Sequence, residues 1–279
     1  MTKPRIVLLA NNIDELGGAQ RVANVVADHL ARRGYSVDLV GIAPYSPSHA
    51  YDVDPSVRRT SLMSAEWPPP PPDGRLWTRL RPSMRRLIAR RASLRAEAIS
   101  GLGTLLRSGQ PGVVVTMQLW AMEHLAEVPH SEWAVVGQYH SSYEAAAAGR
   151  DLPRALDLYR DVDLVTMLTS EDARSMQRAG LNNVQSLPNP LSFWPDVAVE
   201  ASLAEIGVVT YLGRLSPEKG VTFLIDAWGR IADRFPGWRL RLVGSGPDEK
   251  AVRRQIAALA AGADRVEVMP PVIDAEAEL

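Results

Sequence analysis

The strongest constraint on this chain comes from its opening stretch. A continuous apolar run, Ile6-Val7-Leu8-Leu9-Ala10, is followed by a glycine-containing loop, an amphipathic segment and a second apolar run from Tyr35 to Ile42. Apolar residues without polar alternation suit a strand buried on both faces, as in a parallel sheet. From Ala19 to Arg33 the residues Val22, Val25, Val26 and Leu30 recur at helical spacing, Arg32 and Arg33 occupy the last turn, and Gly34 supplies the stop. Strand, glycine loop, helix and strand in this order form the first βαβ unit of a doubly wound α/β sheet.

The alternation continues. Val113 to Met117, Trp133 to Gln138, Leu164 to Leu168 and Val184 to Leu187 are predicted strands, and Ser170-Glu171-Asp172 opens a helix that Gly180 closes. Periodicity is lost over 191–205, which reads as a linker between a first domain at 1–195 and a second at 196–279. The pattern then restarts with a strand from Gly207 to Gly213. A helix is predicted from Pro217 to Phe235, with Leu224, Ala227, Trp228, Ile231 and Phe235 on one face. A strand from Trp238 to Val243, a helix from Pro247 to Gly262 and a strand from Arg265 to Met269 complete it. Three predicted strands against about six in the first domain leave a buried-type strand at a sheet edge. The second domain is therefore expected to be incomplete.

Composition narrows the chemistry. The 279 residues include no cysteine, which excludes disulfides, thiolate metal sites and a cysteine nucleophile. A formal net charge of −1 gives no global attraction to nucleic acid. The apolar run after Arg5 is too short for a signal-peptide core or a spanning helix, so a cytoplasmic protein is expected.

One local charge cluster stands out. After the proline run Pro68 to Pro72 come Arg75, Arg79, Arg81, Arg85, Arg86, Arg90, Arg91 and Arg95 with no acidic residue between them, interleaved with Leu76, Trp77, Leu80, Met84, Leu87 and Ile88. Two readings stay open. The surface, represented by Arg85, Arg86 and Arg90, lies on anionic lipid headgroups. Alternatively Pro82 starts an ordinary helix whose Met84, Leu87, Ile88, Leu94 and Ile99 pack on the sheet while its arginines face water.

A second cluster lies at Leu212-Gly213-Arg214-Leu215-Ser216-Pro217-Glu218-Lys219-Gly220, where a parallel strand gives way to a helix. Ser216 suits an N-cap and Pro217 a first helical position, which puts Lys219 in the first turn against the positive end of the helix dipole. A bound diphosphate would explain this placement, with Arg214 and Lys219 flanking the anion and first-turn N–H groups donating to it. A surface loop with two solvated cations is the alternative.

This nonapeptide, Gly17-Gly18-Ala19-Gln20-Arg21-Val22, Leu187-Pro188-Asn189-Pro190 and Leu242-Val243-Gly244-Ser245-Gly246-Pro247 together resemble the motifs of the retaining glycosyltransferases of family 4, in the same order and at the same β/α junctions. The resemblance implies the GT-B architecture: two Rossmann-like domains, the first mainly for the acceptor and the second mainly for a sugar nucleotide.

The resemblance also implies residue roles. Arg214 and Lys219 match the basic pair that holds the donor diphosphate in place of a metal ion, so no metal and no cofactor are expected. Gly17 and Gly18 match the loop that closes on the donor phosphates and sugar, where a missing Cβ permits close backbone approach. His140 matches a histidine that contacts the donor sugar, and Gly244 and Gly246 are expected to let the nucleotide approach the strand ends. The family's two glutamates, spaced by seven residues, are absent; Glu276 and Glu278 have the wrong spacing, and Met269-Pro270-Pro271 replaces an expected glycine.

The expected activity is transfer of a hexose from a nucleoside diphosphate sugar to a hydroxyl of a glycan or glycolipid, in polysaccharide or glycolipid assembly, by an enzyme fragment. Two alternatives stand beside it: a catalytically inactive nucleotide-sugar-binding relic or partner module, and a sugar-nucleotide epimerase of similar fold. A dinucleotide oxidoreductase is disfavoured because neither glycine loop completes G-x-G-x-x-G.

Overall fold

The computed structural model describes residues 3–46, 48, 51–69, 82–191 and 207–272. Pro70 to Pro72, Arg75, Leu76, Trp77, Arg79, Leu80 and Arg81, most of the 191–205 segment, and Glu276 and Glu278 lie outside the described residues. The chain divides into two compact units, Met1–Ser192 and Phe193–Leu279.

The first unit runs β1 (Arg5–Ala10), α1 (Gly18–Arg32), β2 (Ser36–Gly41), β3 (Arg58–Ser61), α2 (Pro82–Arg107), β4 (Val113–Thr116), α3 (Leu119–Leu125), β5 (Ala134–Tyr139), α4 (Tyr143–Ala148), α5 (Asp151–Leu158), β6 (Leu164–Met167), α6 (Ser170–Arg178) and β7 (Val184–Ser186). Its seven strands form one parallel sheet in the order β3-β2-β1-β4-β5-β6-β7. The order reverses between β1 and β4, the kind of position where doubly wound sheets open a crevice beyond the strand ends.

Alternate residues of β1 feed two cores. Val7 and Leu9 join the core covered by α2, α3, α5 and α6, while Ile6, Leu8 and Ala10 join the one covered by α1. This double burial explains the unalternated apolar run. The short polar strand β3, Arg-Arg-Thr-Ser, was not expected from the sequence, nor were α3, α4 and α5. Strand β3 is an edge strand with an exposed surface, so it carries no apolar signal.

One buried carboxylate ties three strands together. Asp38 on β2 accepts hydrogen bonds from Arg5 Nε (2.7 Å) on β1 and from Arg58 Nε (2.7 Å) and Nη2 (2.9 Å) on β3. Burial pushes the carboxyl up, but these hydrogen bonds outweigh it and hold Asp38 below the usual carboxylate range. Arg5 also donates to the carbonyl of Ser108, fixing the end of α2.

The structure refines several local expectations. Helix α6 opens at Ser170, as expected, and the capping side chain is that of the preceding Thr169, which accepts from the Asp172 N–H at 3.0 Å. In α2 the buried residues are Leu94, Ala98, Leu102, Gly103 and Leu106. Met84 and Leu87 are half-buried and Ile88 is 45% exposed, so core contact begins a full three turns into the helix rather than at its start.

The second unit runs β8 (Gly207–Leu212), α7 (Val221–Ile231), β9 (Trp238–Val243), α8 (Glu249–Ala257) and β10 (Val266–Met269). Its three described strands are parallel, in the order β10-β9-β8. The expected helix from Pro217 to Phe235 is three pieces: a 3-10 turn at Pro217–Lys219, α7 itself, and a second 3-10 turn at Ala232–Arg234. Gly220, in the left-handed conformation at φ 65°, breaks the first from the second. The buried face is Val221, Ile225, Trp228 and Ala232; Ala227, Ile231 and Phe235 are exposed.

A Cβ on Gly137 would lie 2.5 Å from Cε1 of the fully buried Tyr159. Gly137→Ala should therefore cost about 1–3 kcal/mol of stability, read from denaturant unfolding; an unchanged midpoint would contradict the packing.

His124 is fully buried on α3, donates from Nδ1 to the Trp120 carbonyl at 2.8 Å, and leaves Nε2 without a partner. Burial pushes its imidazole below the ordinary histidine value of 6.5. The unfolded chain then takes up the proton first, so this contribution to stability is complete above pH 6.5 and is lost as pH falls through the lowered value. His124→Leu should flatten the stability decline between about pH 7 and about pH 5, whereas an unchanged slope would remove His124 from the acid response.

Candidate functional site

In the second unit the strand exits are clamped backbone to backbone. Gly213 N–H donates to the Val243 carbonyl (3.0 Å), Leu215 N–H to Ser245 (2.9 Å) and Asp248 N–H to Leu215 (3.0 Å). A Cβ on Gly244 would stand 1.9 Å from the Gly213 carbonyl oxygen, and one on Gly246 2.2 Å from that of Leu215. The space in front of both glycines is thus filled by the chain's own backbone. Both glycines permit close packing of the two loops at the strand exits, the tight turn that a side chain at either position would prevent.

This clamp buries Leu215 and Ser216 and leaves the residues around them outside. Arg214 and Lys219 are both exposed, and neither has an ion-pair or hydrogen-bond partner among the described residues. Tyr211 Oη donates to the Arg214 carbonyl at 2.8 Å, fixing the backbone from which that guanidinium projects. Lys219 ends the 3-10 turn and stands one residue ahead of Gly220, the N-cap of α7, so it lies just before the α-helix rather than in its first turn.

Helix α7 has no acidic residue in its first turn and no side-chain cap, so its positive end is unneutralised from within. Ser216 is the N-cap residue of the 3-10 turn, as expected, but its side chain makes no capping hydrogen bond; the hydroxyl donates to Glu218 at 2.5 Å. That hydrogen bond, seconded by the charges of Arg214 and Lys219, holds the Glu218 carboxyl below its ordinary value. The loop therefore carries two cations and one anion whose hydroxyl partner is already supplied.

In the first unit, Gly17 is the N-cap of α1 in an extended conformation, φ −159°, open to any residue. Its N–H donates to Tyr51 Oη at 3.1 Å, and the Tyr51 hydroxyl donates to the Glu15 carbonyl at 2.9 Å. A Cβ at Gly17 would come within 2.6 Å of Gln20 Oε1, whereas one at Gly18 would meet nothing within 4 Å. Gly18 thus leaves open space at a helix start that has no acidic residue and no side-chain cap.

Sequence reasoning passed over the residues that stiffen this loop. Gln20 donates to Asn12 Oδ1 (2.9 Å) and Glu15 Oε2 (3.3 Å), and the buried Asn24 donates to the Ile13 (3.2 Å) and Gln20 (2.8 Å) carbonyls. Their signal was legible in principle: two polar residues four apart on the apolar face of α1.

His140 follows β5. Its Nε2 lies 3.3 Å from Gln138 Oε1, its Nδ1 is buried without a partner, and burial pushes its pKa down. It helps line a pocket of about 290 Å³ between α1 (Val22, Val25, Val26, His29, Leu30, Arg33), the ends of β5 and β6, and Leu187 to Pro190. Of the motif segments singled out from the sequence, Leu187-Pro188-Asn189-Pro190 lines this pocket in full and the segment at the start of α1 contributes only Val22.

Arg85, Arg86 and Arg90 are exposed on α2 with no ion-pair or hydrogen-bond partner among the described residues. Arg91 and Arg95 differ: Arg91 lies 4.4 Å from the centroid of the Trp67 ring and donates to the Pro68 carbonyl at 2.7 Å, and Arg95 pairs with Glu127. The basic run is thus split into structural and unengaged arginines. Among the described residues no cluster of three or more histidine or acidic side chains is arranged to hold a metal ion, and no helix is long and apolar enough to cross a membrane.

Known proteins share this architecture. Residues 207–279 match the family model described as Glycosyl transferases group 1. A curated relative from Haemophilus influenzae, an uncharacterized glycosyltransferase, is 26% identical over 254 residues; the match covers 89% of this chain and 64% of the relative's length. Among solved structures, S. aureus TarM in complex with UDP and other ligands superposes with a TM-score of 0.69 at 8% identity, covering 96% of this chain and 78% of that one. WaaG, a glycosyltransferase involved in lipopolysaccharide biosynthesis, gives 0.62 at 15% identity, covering 96% and 70%. Starch synthase IV from Arabidopsis thaliana, bound to ADP and acarbose, gives 0.63 at 13% identity, covering 99% and 76%. The chain thus has the mixed α/β, parallel-sheet GT-B fold with a small second unit. Its residues 16–192, more than half of its length, match the family model described as Glycosyltransferase Family 4, and the chain belongs to that family.

Proposed function

We propose that the chain carries the acceptor-side unit and donor-side residues of a retaining hexosyltransferase. In this reading it moves a hexose from a nucleoside diphosphate sugar to a hydroxyl of a glycan or glycolipid, in the cytoplasm and without a metal ion. The observation that carries the reading is the pair Arg214 and Lys219: two exposed cations without a partner among the described residues, beside an uncapped helix start, in a unit matched by a glycosyltransferase model. Cations held ready and unpaired are what a diphosphate requires.

The chemistry asked of the pair is electrostatic. As the bond between sugar and diphosphate breaks, negative charge grows on the departing phosphate oxygens. Fixed cations bind that state more strongly than the intact donor, which lowers the barrier. Gly17 and Gly18 bring the open start of α1 to the donor, and His140 meets its sugar.

Removing either cation tests this directly. Against a panel of UDP-, GDP- and ADP-sugars, Arg214→Ala and Lys219→Ala should each weaken the preferred donor by about ten- to a hundredfold, the worth of a charge-assisted hydrogen bond. Their melting temperatures should stay unchanged, since both side chains are exposed. Equal donor affinity in wild type and both variants would refute the assignment.

The unengaged arginines of α2 fit a membrane-bound acceptor. Arg85, Arg86 and Arg90 would lie against anionic headgroups, each worth about 1 kcal/mol near such a surface. Flotation with vesicles containing anionic lipid should retain the parent chain and lose an Arg85/Arg86/Arg90 triple glutamine variant. Equal flotation of the two would remove the membrane from the proposal.

A further inference from the structure

His140 and Gln138 leave the end of β5 two residues apart, on the face of the sheet that α1 flanks. The opposite face fixes the backbone beneath them. Tyr159, packed in the space that a side chain at Gly137 would occupy, donates from its hydroxyl to the Gln138 carbonyl at 3.2 Å. Gln138 is also paired in register with Thr166 of β6. Both side chains line the pocket, opposite Val22, Val25 and Val26 of α1.

The proton arrangement of His140 follows from its partner. Gln138 Oε1 is an amide oxygen and can only accept, and it faces the ring nitrogen Nε2 at 3.3 Å, a contact that a hydrogen on Nε2 would complete. Burial pushes the ring's pKa below its ordinary value, with no charged group contributing. The remaining nitrogen, Nδ1, is enclosed and without a partner. A buried polar atom without a partner is destabilising, which invites a ligand to supply one.

We propose that Gln138 is a positioning residue for His140: its amide oxygen holds the imidazole as the Nε2–H tautomer, so that Nδ1 is kept as an acceptor for a ligand hydroxyl and turns away anionic oxygen. This rests on the reading above, in which His140 meets the sugar of the donor. It adds the direction of that hydrogen bond and the residue that sets it. Meeting a ligand requires the ring to tilt toward the pocket, and the Gln138 link preserves the tautomer during that movement. The other ionisable groups lining the pocket are Tyr139 of β5, His29 of α1 and Arg33 at its C-cap, none of them a carboxylate that would favour a protonated ring.

The test begins with ¹⁵N NMR of the histidine side chains in the ligand-free 279-residue chain, with the His140 signal assigned by its loss in His140→Gln. Wild type should show one neutral tautomer, protonated at Nε2. Gln138→Leu, checked for folding by its backbone amide spectrum, should give a tautomer mixture. Gln138→Glu, which keeps an accepting oxygen in place, should restore Nε2–H and raise the ring's pKa. A wild-type Nδ1–H tautomer, or a Gln138→Leu spectrum identical to wild type, overturns the proposal; should Gln138→Leu not fold, the wild-type and Gln138→Glu spectra decide.

A second arm separates this inference from the function it rests on. Gln138→Leu should weaken binding of a sugar nucleotide by about fivefold, the worth of one hydrogen bond, and leave the matching nucleoside diphosphate without its sugar unaffected. Arg214→Ala should weaken both. Failure of wild type to bind either ligand defeats the donor-site reading while the tautomer result stands. Normal binding of both by Gln138→Leu defeats the role given to Gln138 alone.

Discussion

Parallel strands impose a polarity on this chain that everything functional inherits. All strands of a parallel sheet present their carboxyl ends on one side, and the loops leaving that side are the ones free to vary without disturbing the ladder. In the first unit those loops carry Gly17 and Gly18 after β1 and His140 after β5; in the second they carry Arg214 and Lys219 after β8. The Asp38 network, linking β1, β2 and β3 through two arginines, holds the strand packing on which the first of these loops stands.

The two units prepare their loops by different physics. In the second, glycine removes the side chains between adjacent strand exits, and the backbones meet directly. Burial of Leu215 and Ser216 then forces the flanking cations outward. In the first, side-chain amides do the work: Gln20 and Asn24 satisfy a loop that has no regular partner, and Tyr51 holds the N-cap backbone. Rigid loops matter because an electrostatic site gains most when its charges need not reorganise.

The arginine-rich helix α2 shows how tertiary contacts sort identical side chains. Arg91 stacks on Trp67, whose ring in turn meets Trp120 at 5.2 Å, and Arg95 finds Glu127. Arg85, Arg86 and Arg90 find no such neighbours among the described residues because the helix is anchored only from Leu94 onward. Composition alone treats all of these arginines as one patch.

The sequence by itself determined the α/β class and the position of the motifs near strand ends, because parallel strands buried on both faces leave unmistakable apolar runs such as Ile6 to Ala10. It also singled out Arg214 and Lys219, whose charges are conspicuous at a strand-to-helix junction. Tertiary structure decided what depends on neighbours distant in the chain. The polar edge strand β3 exists because β2 offers it a ladder, and Gly244 and Gly246 serve loop packing because the Gly213 and Leu215 carbonyls occupy the space before them. Likewise the break of the expected long helix at Gly220, and the choice of Ile225 and Ala232 over Ala227 and Phe235 as its buried face, were set by the core they pack against, since a helical repeat fixes spacing but not which side meets the sheet.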